Sequence, residues 1–262
     1  MSASAVSVAV LYPELLGTYG DGGNAAVLAA RGRARGLEVE VVEVVGSEPL
    51  PSCDVYLLGG GEDGPQRHVA RLLAEGDRMA RAVEAGGAVL AVCAGMQILG
   101  SAFRDVDGPV PGLSLLPCRT VEPLPTQRRA VGEVVVEPEA GLSDVPGLPP
   151  LPTLVGFENH GGRTALEPGA TALGRVVRGV GNGVEVDGAA PVDGVVAGRV
   201  VGTYLHGPVL ALNPALADRL LGWATGGDPS ALPPGDERLV RLDEAAAAAR
   251  AVRLRMAGLP TG

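Results

Sequence analysis

Two side chains of this sequence, far apart along the chain, have the types and settings that acyl-transfer chemistry needs. Cys93 lies in Val89-Leu90-Ala91-Val92-Cys93-Ala94-Gly95-Met96-Gln97, where an apolar strand-like run ends in a cysteine among small residues and passes straight into a helix-like stretch. That order is the sequence form of a nucleophile elbow, a tight strand-to-helix turn that lifts the reactive side chain above a sheet. Ala91 and Gly95 fit because a strained turn leaves no room for larger side chains. His206, in Gly202-Thr203-Tyr204-Leu205-His206-Gly207-Pro208, ends a second apolar run. A thiol and a distant imidazole at strand ends point to a nucleophile and its general base.

Gly59-Gly60-Gly61-Glu62-Asp63 follows a third strand-like run. Consecutive backbone N–H groups can bind an anion, but no lysine follows and the spacing of a P-loop is absent. Facing a cysteine elbow, the better use is an oxyanion hole, with N–H groups from Gly60 or Gly61 and from Ala94. The plainer alternative is a tight turn that merely needs glycine. His160, in Phe157-Glu158-Asn159-His160-Gly161-Gly162-Arg163, is open between a second catalytic histidine and a pocket-shaping turn. His68 reads as a solvated helix residue, and Cys53 and Cys118 as core or surface thiols. Gln97, Asn159 and His160 are candidates for the substrate pocket.

The elements that must position these groups alternate through the first hundred residues. Ala5 to Tyr12 reads as a buried strand, Gly23 to Arg35 as a helix, Leu37 to Val45 and Asp54 to Leu58 as strands, Pro65 to Glu84 as a helix with Gly76 as a weak point, and Ala88 to Val92 as the strand before Cys93. Repeated strand-helix-strand order predicts an α/β fold with a mainly parallel sheet and helices on both faces. Ligands bind such sheets at the carboxyl ends of the strands, so the glycine-rich segments should share one rim. From Pro109 the pattern turns β-rich, with strands near Ala130 to Val136, Thr153 to Phe157, Ala172 to Val177 and Val195 to Tyr204. Gly141 to Pro152 reads as a surface insertion, and Asn213 to Ala224 and Asp236 to Ala257 as helices. A domain over 5–225 with a C-terminal helical extension over 226–262 is expected.

Composition narrows the function. The 262 residues, 46% apolar, can build one substantial core. The chain has 40 Gly, 22 Pro and only 3% aromatic residues, so Val, Leu and Ala must fill that core. Every basic side chain is Arg, which rules out a lysine nucleophile or Schiff base. A net charge of -9 with no arginine-rich patch argues against nucleic acid. No apolar run is long enough to span a bilayer, and Met1-Ser2-Ala3-Ser4-Ala5 carries no basic region of a secretory signal, so a soluble, cytoplasmic protein is expected. Three widely spaced cysteines fit a reducing compartment and no metal site.

These stretches together resemble the class I glutamine amidotransferases, of flavodoxin-like type. Within them the likeness is closer to the cobyric-acid-synthase-like branch with its Thr-Tyr-Leu-His-Gly ending, and closer still to the small stand-alone glutaminase subunits of lipid II isoglutaminyl synthases, the GatD subfamily. The resemblance rests on Leu11-Tyr12-Pro13-Glu14, Tyr19-Gly20-Asp21-Gly22-Gly23-Asn24, Gly59 to Asp63, Cys93 to Gln97, Gly156 to Thr164 and Gly202 to Pro208, in order from Ala5 to about Leu221. The block Phe157 to Thr164 is the most specific of them.

By that resemblance Cys93 attacks the side-chain amide of glutamine, His206 is its base, and ammonia leaves for use elsewhere. The family also places an arginine at the substrate; Arg129 matches, with Arg128 as the adjacent competitor. A low thiolate pKa would favour the first step. Many class I members carry a carboxylate two residues after the histidine, whereas His206 is followed by Gly207-Pro208. The resemblance implies that a partner subunit supplies it, so the isolated chain is expected to hydrolyse glutamine poorly. That partner is a MurT-like, Mur-ligase-like subunit that uses ATP to activate the D-glutamate of lipid II for peptidoglycan synthesis, in a heterodimer at the inner membrane face. No cofactor or metal is expected in this chain. A corrinoid-pathway amidotransferase and a redox-sensing elbow protein are the rival readings.

Overall fold

Val and Ala dominate the strands of the first half, and their alternation with glycine-bounded helices sets the architecture. The computed structural model describes residues 5–105, 107–143, 151–184, 188–226 and 232–261. β1 (Ala5–Leu11) leads to α1 (Gly23–Ala34), β2 (Glu38–Val44), β3 (Val55–Leu58), α2 (Asp63–Ala74), a 3-10 turn (Glu75–Asp77), α3 (Arg78–Glu84), β4 (Ala88–Val92) and α4 (Ala94–Leu99). The helix expected from Pro65 to Glu84 is therefore broken where Gly76 takes a left-handed φ of 62°.

The second half contributes β5 (Ala102–Asp105), β6 (Gly108–Pro111), β7 (Cys118–Val121), β8 (Ala130–Pro138), α5 (Ala140–Ser143), β9 (Leu154–His160), β10 (Arg163–Leu166), β11 (Gly174–Arg178), β12 (Val192–Asp193), β13 (Val195–Ala197) and β14 (Val200–Thr203). α6 (Val209–Leu212), α7 (Pro214–Ala224) and α8 (Glu237–Met256) follow. The apolar run from Val195 to Tyr204 is two strands and not one, folded into a hairpin at Gly198, whose φ is 58°. Most of the insertion expected over Gly141 to Pro152 lies outside the described residues.

Six strands form the central sheet in the order β13-β14-β4-β3-β1-β2, all parallel except the edge strand β13. β3, β4 and β14 are buried at every position, and β3 and β4 accordingly read as unbroken apolar runs. α4 and α7 both pack on β3 and β4, with α2 beside the first and α1 beside the second, so helices cover both faces. The chain turns from β1 outward to β2 and then back to β3. Beside that reversal the carboxyl ends of β1, β3, β4 and β14 open a crevice. Two four-stranded sheets, β10-β7-β5-β6 and β12-β11-β8-β9, flank it. No helix among the described residues is long and apolar enough to cross a membrane.

The C-terminal helix belongs to this packing. α8 contacts α1, α6, β8 and β9, and Arg250 donates to the carbonyls of Leu212 and Thr153 and to Asn213 Oδ1. Beneath it, Arg31 of α1 is 3% exposed and grips Asp218 of α7 with two bonds of 2.8 and 2.7 Å, while its third nitrogen reaches Asp243 of α8 at 2.6 Å. Arg35 donates to the same Asp218 oxygen, Oδ2, at 2.6 Å. Removing one member of such a buried group strands the rest in a low dielectric. Asp218→Ala is therefore expected to lower stability by about 3 kcal/mol or more in chemical denaturation; a change below about 1 kcal/mol, typical of exposed pairs, would contradict this.

Candidate active site

Cys93 occupies a turn that an ordinary residue avoids. Its φ of 52° and ψ of -107° are those of neither strand nor helix, and the strain is held because its N–H donates to Thr203 O at 2.8 Å and Gly95 N to Gly59 O at 3.2 Å. A Cβ at Gly95 would stand 2.7 Å from Leu58 Cβ, so only glycine lets α4 start this close to β3. The thiol is 6% exposed, and burial, reinforced by the charge of Asp21, pushes its pKa up to about 12. The N–H of Ala94 and the charge of Arg129 oppose that shift. A low thiolate pKa, which would favour the first step, is not what this setting gives: burial and Asp21 favour the protonated thiol.

His206 is fully buried, and its ring packs against both Tyr19, with centroids 4.8 Å apart, and Phe157 at 5.3 Å, which also touch each other. Its backbone pairs with Phe157 in both directions, at 2.8 and 3.2 Å. Because β14 runs parallel to β4, with Thr203 opposite Val92, the chain leaves both strands at the same rim. His206 Nδ1 lies 3.0 Å from Asp21 Oδ2, and Nε2 has no hydrogen-bond partner among the described residues. An imidazole bonded to a carboxylate at Nδ1 presents Nε2 as the free basic nitrogen.

Asp21 was not anticipated. The carboxylate expected from a partner subunit is present in this chain, 185 residues earlier, in the loop after β1, and it is 3% exposed. Its Oδ2 also accepts the N–H of Gly60 at 2.9 Å. That corrects the expected oxyanion role of Gly60, whose N–H is already engaged; a Cβ there would meet His206 Cε1 at 2.6 Å, so its glycine makes room for the imidazole. Gly61 does border the cleft over Cys93, and Ala94 N contacts the thiol.

That cleft, about 330 Å³, is lined by Gly61, Glu62, Gln66, Cys93, Ala94, Gln97, Arg129, Asn159 and His160 among others. Arg129 enters it, steadied by Nε donating to Asn159 Oδ1 at 2.7 Å and Nη2 to the Tyr19 hydroxyl at 3.2 Å. Arg128 instead lines a wider groove of about 1080 Å³, to which neither Cys93 nor His206 contributes. Gln97 is committed to a buried network, accepting from Gln66 at 2.9 Å and donating to Tyr204 Oη at 2.9 Å. His160 is stacked on Tyr204 at 3.7 Å and held by Gly162 O and Glu158 at its two nitrogens, which makes it a wall of the cleft and not a second base. Asp193, whose carboxyl is pushed by burial up to about 7, anchors the exit of β14 through Thr203 Oγ1 at 2.5 Å and Tyr204 N at 3.2 Å.

Known proteins align with this arrangement. The chain is 36% identical over 210 residues to the GatD subunit of lipid II isoglutaminyl synthase (glutamine-hydrolyzing) of Staphylococcus aureus, covering 79% of each chain. It is 34% identical over 220 residues to the same subunit of Streptococcus pneumoniae, covering 82% of this chain and 79% of that one. Cobyric acid synthase of Polaromonas naphthalenivorans is 38% identical over 190 residues, 67% of this chain but only 35% of that longer protein. A crystal structure of a glutamine amidotransferase superposes with a TM-score of 0.55 at 23% identity, over 83% of this chain and 98% of that one, which establishes the likeness of fold. Residues 7–214 match the CobB/CobQ-like glutamine amidotransferase domain. Since that match runs from within β1 to the start of α7 and so takes in every residue of the cleft, the chain belongs to the CobB/CobQ-like glutamine amidotransferase family.

Proposed function

We propose that this chain is the glutaminase subunit of a lipid II isoglutaminyl synthase. The observation that carries the chemistry is a buried Cys93 thiol on a strained elbow and, leaving the sheet at the same rim, an imidazole whose Nδ1 is fixed by Asp21 and whose Nε2 is free. His206 Nε2 takes the thiol proton as Sγ attacks the carboxamide carbon of glutamine, and the N–H groups of Ala94 and Gly61 receive the developing oxyanion. The imidazolium returns that proton to the departing nitrogen, ammonia leaves, and a glutamyl thioester remains on Cys93. Water, deprotonated by the same imidazole, hydrolyses the thioester to glutamate. Arg129 suits the substrate carboxylate, which it can hold with two parallel hydrogen bonds.

The choice of acceptor follows from the two relatives named as GatD, each matched over about four fifths of both chains. Ammonia protonates in water and then has no lone pair, so its release is useful only into an acceptor site. In this reading a MurT-like, Mur-ligase-like partner uses ATP to activate the D-glutamate carboxylate of lipid II, and ammonia passes to it within a heterodimer. The lipid-anchored acceptor places the complex at the cytoplasmic face of the membrane. With Asp21 in the chain itself, glutamine hydrolysis does not wait on a carboxylate from the partner.

Two outcomes test the chemistry. Cys93→Ala and His206→Ala should abolish glutamate release from glutamine, and Asp21→Asn should lower kcat by about 100-fold or more while leaving KM nearly unchanged, because the imidazole loses its orienting anion. Turnover within threefold of the wild type in any of the three would remove that residue from the mechanism. Separately, alkylation of Cys93 by iodoacetamide, followed at its own peptide by mass spectrometry, should keep accelerating through about pH 10 instead of levelling near the ordinary thiol range of about 8.5. A plateau near neutrality would mean that the resting residue is a thiolate.

A further inference from the structure

An amino acid presents two opposite charges on one carbon, and only one of them is met by Arg129. Among the acids that line the cleft, Asp105 pairs with Arg67 at 2.7 Å and Glu122 with Arg104 at 3.1 Å. Asp63 stands in the first turn of α2, where the helix's own amides favour a carboxylate. Glu62 has neither use. It occupies the N-cap position of α2 in extended backbone, yet its side chain makes no capping bond, and a glutamate is not among the residues preferred there for capping.

Its carboxylate turns to the active site. Oε1 accepts the Tyr19 hydroxyl at 3.4 Å, and that same hydroxyl oxygen accepts from Arg129 Nη2 at 3.2 Å. The two opposite charges therefore reach one phenol oxygen, which spaces them without a direct ion pair between them among the described residues. Both also act electrostatically on the Cys93 thiol, Glu62 raising and Arg129 lowering its pKa. The phenol ring that carries this oxygen packs on the catalytic imidazole at 4.8 Å.

Resting on the glutaminase reading, we infer that Glu62 is the specificity residue that binds the α-ammonium of glutamine, with Arg129 taking its α-carboxylate and the Tyr19 hydroxyl setting their separation. The cleft thus favours an α-amino acid amide over a simple acid amide, which offers Glu62 no cation to hold.

Calorimetry on the full chain carrying Cys93→Ala, which cannot turn over, compares glutamine with glutaramate, the same molecule without its α-amino group. Adding Glu62→Gln should weaken glutamine about tenfold, the scale of one charge-assisted hydrogen bond, and leave glutaramate within about twofold. Arg129→Ala should weaken both ligands, since both keep the carboxylate. Equal losses for both ligands in Glu62→Gln, or none, would overturn the inference while leaving the glutaminase reading intact. Failure of glutamine to bind the Cys93→Ala chain at all would overturn the reading itself and the inference with it.

Discussion

One carboxylate oxygen holds the catalytic rim together. Oδ2 of Asp21 meets the imidazole of His206 and the backbone of Gly60 at once, so it ties the loops that follow β1, β3 and β14 to a single point. The strands alone cannot do this, because β1 and β14 are separated in the sheet by β3 and β4. The loop after β1 must cross the end of β3, and the Gly59-Gly60-Gly61 run gives it the space: a Cβ on Gly60 would strike the imidazole. In this water-excluded setting a charge-assisted bond is stronger than in solvent, and an unpaired partner is correspondingly costly.

The same anion works against the nucleophile. Its charge adds to burial in pushing the Cys93 thiol up to about 12, so the group that orients the base also keeps the thiol protonated at rest. These two effects are compatible if the thiolate is needed only during attack. In the proposed mechanism, proton transfer to His206 would create an imidazolium beside Asp21, where opposite charges attract, at the moment when Sγ forms its bond to carbon. A resting neutral thiol is also a poor target for oxidants and alkylating agents. The labour is divided between sheets. The central parallel sheet supplies the reacting groups, and the β12-β11-β8-β9 sheet supplies Arg129 just before β8 and Asn159 in β9, which are neighbours because Ala130 pairs with His160 and Val131 with Asn159.

How legible this was from sequence depended on whether the signal was local. Cys93 could be read because an apolar run, a cysteine and a small-residue turn are contiguous, and the fully buried strands β3 and β4 announced themselves as unbroken apolar runs. Asp21 could not, since its partner is 185 residues away and the residues around it are shaped by a glycine-rich loop. The available clue was topological: the segment after β1 had to share a rim with the elbow. The β13-β14 hairpin was missed because Val and Gly continue through it, and Gly198-Arg199 turns the chain with one left-handed glycine. Short strands such as β5, β6 and β7 were also invisible, being four residues each and fixed by their neighbours in a sheet. The choice of Arg129 over Arg128 was likewise undecidable from adjacent identical residues; both border the wider groove, and Arg129 also reaches the cleft over Cys93.

The floor of the cleft is polar and buried. Gln66, Gln97, Tyr204, Thr164 and Thr120 form one hydrogen-bonded chain with links of 2.9, 2.9, 2.8 and 3.2 Å, and His160 stacks on the tyrosine. Glu158 secures that histidine while accepting the N–H groups of Val180 and Gly181 at 2.7 and 2.8 Å. A buried polar network is costly unless each member is satisfied, and when satisfied it permits few alternative arrangements. The floor therefore has few alternative arrangements before substrate arrives, whereas Arg129, Glu62 and Tyr19 at the mouth are exposed or half-buried. Such a division favours a reaction in which the carboxamide must meet Sγ and the oxyanion donors within a few tenths of an ångström, because error at the reacting carbon is costly and error at the amino-acid end can be absorbed by long, solvent-facing side chains.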